Sequence, residues 1–270
     1  MKTIYYICLL ILTQSIVKAQ SSERSGYIKY DMIINFVNAD VLEATLFFDQ
    51  QESYFIWKSF KKSNKEEFVK ESKVDERNVD IVFNKTIHSD SPAINYKSLK
   101  KNQITTRMTW LDNKTYLVQE KLPKLKWKIE NQRKKISNFN CQKAVAYFRG
   151  RTYTAWFTLE IPVSSGPWKL QGLPGMIIEA HDDKNEIWFG AKEISYPTTY
   201  TNIDKSLLES QNVITIAEYA ELQSNAAEQI IDKESLSKRL KSQLPRGTTV
   251  TVDVQSSAKF IELEFDDIQN

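Results

Sequence analysis

Thirteen consecutive residues, Gly166 to Ile178 (Gly-Pro-Trp-Lys-Leu-Gln-Gly-Leu-Pro-Gly-Met-Ile-Ile), constrain this chain more than any other segment. The sequence holds seven Gly and seven Pro. Of these, Gly150, Gly166, Gly172, Gly175, Gly190, Pro162, Pro167 and Pro174 fall between positions 150 and 190. Gly reaches backbone conformations closed to other residues, and Pro fixes φ. Their concentration around Trp156 and Trp168 predicts a backbone held in one shape.

The N-terminus has the pattern of an export signal. Lys2 precedes the apolar run Tyr5–Leu12, which is too short to span a bilayer, and Val17-Lys18-Ala19 suits a signal peptidase. Cleavage is expected between Ala19 and Gln20. Cys8 lies inside the apolar run rather than after it, so no lipid anchor is expected, and the mature chain is placed in the periplasm or cell envelope. Cleavage also removes Lys2 and Lys18 from a formal charge of +3. The near-neutral remainder gives no argument for nucleic acid as a partner. Cys141 is then the lone thiol, which suits a buried small hydrophobe or a reactive group.

Most of the chain reads as β-structure. Apolar and polar residues alternate through Ile28–Phe36, Leu42–Phe48, Val79–Phe83, Ile104–Trp110 and Tyr153–Ile161. Phe55 and Trp57, Tyr116 and Val118, Met176–Ala180 and Glu186–Ile194 suggest further strands. So do Leu125, Trp127 and Ile129, interleaved with Lys124, Lys126 and Lys128. Lys58–Arg77 is charged and weakly patterned, and reads as a loop. After Tyr200 the pattern turns helical: Thr215 and Glu218 have capping-box spacing, and Leu236, Leu240 and Leu244 recur at four. Val250–Val254 and Ile261–Phe265 read as a closing hairpin. The expected fold is α+β: a curved antiparallel sheet, half-barrel-like, with C-terminal helices. Its parts are a signal peptide at 1–19, a β-rich domain at 20–200, and at 201–270 a helical segment with a terminal hairpin on the same domain.

Familiar catalytic signatures are absent. There is no Gly-x-Ser-x-Gly elbow, phosphate-cradling glycine loop or zinc-binding His-Glu-x-x-His. No cofactor is implied, and no metal: His181-Asp182-Asp183 reads as a polar turn before it reads as a calcium site. Arg149 and Arg151 flank Gly150, placed to grip a carboxylate or phosphate, or else to form a tight turn with two solvated arginines or one internal salt bridge. Lys124, Lys126 and Lys128 offer a basic face for anionic lipid or acidic protein, or guard a strand edge.

Cys141-Gln142-Lys143-Ala144, Phe148-Arg149-Gly150-Arg151, Tyr153–Phe157, Ile161-Pro162, Gly166-Pro167-Trp168 and Gly172-Leu173-Pro174-Gly175-Met176-Ile177 together resemble the GLPGLI family of exported Bacteroidota proteins. The likeness is strong over about 136–180. Met176 stands where the family name has Leu. The resemblance implies a β-rich envelope protein without an established activity. The order of strands is also similar to that of half-barrel lipoprotein carriers, a likeness of fold alone.

Two readings follow. One is a non-enzymatic binding module for an apolar ligand or an outer-membrane protein, with Arg149, Arg151, Trp156, Trp168, Leu173, Pro174 and Met176 at a groove and peripheral membrane contact through Lys124, Lys126 and Lys128. The other is a periplasmic hydrolase or redox enzyme using Cys141 and His181. A third role for the Gly/Pro loop is a packing latch with Trp168 plugging the core.

Overall fold

The computed structural model describes residues 25–36, 39–58, 71–75, 78–82, 92–110, 114–199, 203–225, 238, 242, 249–253 and 261–265. The signal expected at 1–19 lies outside these residues, as do Leu236, Leu240 and Leu244 of the expected second helix.

The body is a curved, unclosed sheet built from two meanders. The first contains β1 (Gly26–Asn35), β2 (Ala39–Phe48), β3 (Glu52–Lys58), β6 (Ala93–Ser98), β7 (Gln103–Thr109) and β8 (Thr115–Lys121). The second contains β9 (Lys128–Ile136), β10 (Phe139–Phe148), β11 (Arg151–Thr158), β12 (Met176–Asp182) and β13 (Ile187–Ser195). Antiparallel pairing of β1 with β13 joins them. A short parallel strand, β14 (Asn212–Thr215), extends the end at β8, which gives the order β14-β8-β7-β6-β3-β2-β1-β13-β12-β11-β10-β9. A separate three-stranded sheet holds β4 (Glu71–Asp75), β5 (Asn78–Val82) and β15 (Thr249–Asp253).

The connectivity itself requires the curvature. β8 and β9 stand ten intervals apart in the order, a lateral distance of about 48 Å were the sheet flat. Only residues 122–127 join them, and such a link reaches about 25 Å when fully extended. The sheet must therefore curl until its two ends approach each other. Its enclosed face carries the core: Ile28, Tyr30, Met32, Leu46, Phe55, Ala144, Tyr153, Phe157, Ile178 and Phe189 are essentially inaccessible. Register aligns these side chains, with Ile28 opposite Leu46, Met32 opposite Leu42 and Ala155 opposite Ala180.

Turn chemistry sets the β10–β11 hairpin. Phe148 pairs with Arg151, and the two residues between them, Arg149 and Gly150, have φ of 53° and 79°. That is the double left-handed geometry whose twist matches the flanking strands. The helix α1 (Ile216–Ser224) starts at the expected capping box: the Glu218 amide donates to Thr215 Oγ1, and the Thr215 amide donates to Glu218 Oε2 at 2.6 Å. Its buried Ile216 and Tyr219 form a second, smaller core with Trp110 and Val118.

Three local expectations change. Part of the expected loop Lys58–Arg77 is strand β4. The strand expected to include Leu125 and Trp127 begins only at Lys128. Pro123 lacks a ladder donor, and the 122–127 link bonds to the Gly/Pro loop, through Trp127 Nε1 to the Gln171 carbonyl at 2.8 Å and Gln171 Nε2 to the Pro123 carbonyl at 2.5 Å. Among the described residues the C-terminal runs form no hairpin with each other: β15 pairs in parallel with β5, and 261–265 lies outside any strand.

Candidate functional site

The Gly/Pro loop fills the space that the curled sheet encloses. Trp168, Leu170, Leu173 and Met176 are all buried in the main core. Trp168 sits at a left-handed φ of 54°, its ring 5.7 Å from Phe148 and 6.0 Å from Tyr153. Gly175 is required by close approach: a Cβ there would lie 2.0 Å from the Thr158 carbonyl oxygen. Gly172 has φ of 96° beside exposed Pro174, so the left-handed turn reaches the surface there. The loop therefore packs into the core, with Trp168 as its plug.

Four charged residues from distant parts of the chain meet beside it. Arg149 reaches Glu120 at 2.6 Å and Glu262 at 3.0 Å. Lys169 contacts Glu262 at 2.8 Å and also pairs with Glu120. All four side chains are under a tenth exposed. Burial alone would lower the Lys169 pKa, but the Glu120 and Glu262 carboxylates outweigh it and leave it raised. Burial holds Glu262 above the usual carboxylate range against the pull of Lys169 and Arg149. Removing one member of such a group strands a buried charge, at about 3–5 kcal/mol. Arg151 forms a second group: it bonds Asp182 and Glu186, and its Nε donates to the Ile261 carbonyl at 2.9 Å. Arg149 and Arg151 thus grip carboxylates of the chain itself.

The remaining expected site residues lie elsewhere. Trp156 points away from the core face of β11, with Lys134 Nζ 4.3 Å above its ring and bridging to Glu179. The structure does not bring the seven groove residues onto one surface. Cys141 belongs to the core, and burial pushes its thiol up to about 11. His181 alternates with buried Ala180 and Asp182 and so faces the other side of the sheet. No hydrogen bond joins the two among the described residues, so no thiolate–imidazole pair is formed. Asp182 accepts the Glu186 and Ile187 amides at 2.8 and 2.9 Å, which makes its segment a β-turn anchor. Among the described residues no three His, Cys, Asp or Glu converge as a metal cage.

Two further features stand out, the second at the strand edge that Lys124, Lys126 and Lys128 were expected to guard or to offer as a basic face. One is a small polar recess where the loop meets β3, β6 and β7, lined by Ser53, Asn95, Lys97, Ser165, Lys169 and Gln171 with their neighbours. The other is the sheet end at β9, whose outer edge pairs with nothing among the described residues. The side chains of β9 are exposed except for Glu130 and Ile136, which are half-buried. Lys124, Lys126, Lys128, Arg133 and Lys135 lie along this edge and the link before it, Lys124, Lys128, Arg133 and Lys135 exposed and Lys126 exposed likewise.

The chain matches a family model described as a protein of unknown function (Porph_ging) over residues 148–179, from the β10–β11 turn to β12. The match is consistent with an exported Bacteroidota family. No functionally curated protein matches the chain. Among solved structures, PNGF-II in two crystal forms is 17% and 14% identical, each with a TM-score of 0.47, over 73% and 74% of this chain. The chain spans only 32% and 33% of those proteins. An uncharacterised conserved protein from Thermus thermophilus is 10% identical, with a TM-score of 0.36, over 75% of this chain and 98% of that one. Likeness at this level assigns no activity. No helix among the described residues is long and apolar enough to cross a membrane.

Proposed function

We propose that this is an exported, non-enzymatic binding module of the cell envelope, and that its working surface is the basic sheet edge formed by β9 and residues 121–128. The observation that carries this reading is the open edge itself. Among the described residues β9 pairs only with β10, stands exposed along nearly its whole length, and gathers cations with Glu130 as its one acid. An edge strand offers a row of backbone donors and acceptors to an extended segment. Lysines on that edge repel a second copy of the same strand, yet they complement an acidic one. Ile129 and Tyr147, 47% and 61% exposed, add apolar contact nearby. The partner that fits is an acidic, extended polypeptide, such as an exposed segment of an outer-membrane protein. An apolar ligand inside the sheet would have to displace Trp168, Leu170 and Leu173, so the interior does not support that reading.

The test measures binding of a fluorescent ten-residue peptide alternating Glu and Val, with an alternating Lys and Val peptide as control, alongside vesicles of anionic phospholipid. The expected result is micromolar binding of the acidic peptide alone, weakened at least tenfold by raised salt and by the triple change Lys124→Glu, Lys126→Glu, Lys128→Glu. Binding to vesicles with none to the peptide overturns the proposal, as does an unaltered affinity in the triple variant.

A further inference from the structure

The recess under the loop contains a lysine with no carboxylate partner among the described residues. Its lining follows from register. Ser53 on β3, Lys97 on β6 and Ile104 on β7 form one cross-strand row, and Glu120 on β8 continues it. Lys97 and Glu120 are therefore two strands apart, about 10 Å, with Ile104 between them. Glu120 is already taken by Arg149 and Lys169. Lys97 is 7% exposed and spends its ammonium on neutral acceptors, the Ser164 carbonyl at 2.9 Å and Ser165 Oγ at 3.1 Å. An ammonium carries three donors, so one remains.

Asn95 lies two residues earlier on the same strand face, 3% exposed. Its Oδ1 accepts from Thr106 Oγ1 at 2.8 Å, while its Nδ2 is buried without a hydrogen-bond partner among the described residues. Both side chains line the recess, whose lining includes the Ser53 and Ser165 hydroxyls and no acidic residue. Its free space suits about one water-sized occupant. A buried cation, an orphaned amide N–H and two rotatable hydroxyls around such a volume form a donor-rich shell, costly to leave unanswered.

We infer that this recess is a binding site for a single small anion of halide size, held by Lys97 Nζ and Asn95 Nδ2 and closed over by the Gly/Pro loop at Ser164–Gln171. A bound halide supplies the charge that Glu120 cannot reach across Ile104. It also ties β6 to the loop, so occupancy strengthens the latch. Burial pushes Lys97 down to about 8 when no counter-charge is present, in keeping with a site that gains from an anion.

Crystals grown without halide and soaked in sodium bromide test the site directly. The expected result is an anomalous peak within hydrogen-bonding reach of both Lys97 and Asn95, and a water there without anomalous signal overturns the inference. In solution, the thermal midpoint is followed in sodium chloride against sodium gluconate at equal ionic strength. A saturable rise of roughly 2–4 °C in chloride alone is expected. Asn95→Asp keeps the acceptor for Thr106 and supplies a built-in negative charge, so it should abolish the chloride rise while the far-ultraviolet spectrum is unchanged. Lys97→Met should abolish it too. Equal midpoints in the two salts overturn the inference, as does a chloride rise that survives in both variants.

Discussion

The two halves of the sheet share one geometry and differ in what their enclosed faces carry. Around β1, β2 and β10–β13 the face is mostly apolar, with Tyr30, Met32, Phe157 and Phe189 packed beyond solvent reach and the Arg151–Asp182 pair as its buried polar exception. Around β6–β8 it carries Asn95, Lys97 and Glu120, all buried. The apolar half gains stability from burial without direction, about 25 cal/mol for each Å² removed from water. The polar half is coherent only because the Arg149 turn, Lys169 of the loop and Glu262 arrive there together. The first half tolerates a change of shape at graded cost. In the second, each partner is conditional on the others.

Single and paired substitutions should separate these halves most strongly. Phe157→Ala should cost about 3–5 kcal/mol in urea unfolding, with no rescue from a second truncation. Glu120→Gln should cost a similar ~3–5 kcal/mol, but adding Lys169→Met, which restores charge balance, should recover about 1–3 kcal/mol. Strict additivity of that pair would break the contrast.

Next comes the loop that joins the halves. Gly175→Ala places a methyl against the Thr158 carbonyl and should lower stability by about 3 kcal/mol or more. Gly172→Ala, which would meet only Trp127 at ordinary contact distance but has φ of 96°, should cost only about 1–2 kcal/mol. The difference between their unfolding midpoints reads out which glycine serves packing and which serves backbone conformation.

A pH series sharpens the comparison within the polar half. Lys97 is held at about 8, below its ordinary 10.5. Between those values the unfolded chain holds the proton that the folded chain has lost, so stability should rise with pH, by up to roughly 3 kcal/mol in halide-free buffer. Lys97→Met should flatten that rise. Lys169 runs the other way: its pKa is raised, so its contribution is complete below 10.5 and disappears as pH climbs through the folded value. The smallest effect is expected at Tyr153, whose buried hydroxyl has no hydrogen-bond partner among the described residues. Tyr153→Phe should be neutral or stabilising by about 1 kcal/mol, and a loss above that would show an unseen partner.

The β10–β11 hairpin, the capping box at Thr215 and the strands carrying Ile28–Met32 and Tyr153–Phe157 were legible because alternation and turn chemistry are local properties. β6 was not: in Ala-Ile-Asn-Tyr-Lys-Ser the buried face holds Asn95 and Lys97, so the strand lacks the apolar period that announces one. β4, Glu-Ser-Lys-Val-Asp, is a charged stretch whose sequence likewise lacks an apolar period. Of the candidate groove residues, Trp168, Leu173 and Met176 turn inward into the core, and a side chain's spacing does not reveal which way its loop packs. The recess and the basic edge depend on which strands end as neighbours and which end unpaired.

By itself, the chain determined a predominantly antiparallel β-fold and a stiff Gly/Pro loop, since both follow from interactions within a few residues. Tertiary structure decided that the loop plugs the curled sheet, that Arg149 and Arg151 are spent on internal carboxylates, and that Lys97 meets none among the described residues. Charges pair by distance in space, and at separations of 29 and 113 residues, as from Arg149 to Glu120 and Glu262, only the curvature of the sheet sets that distance.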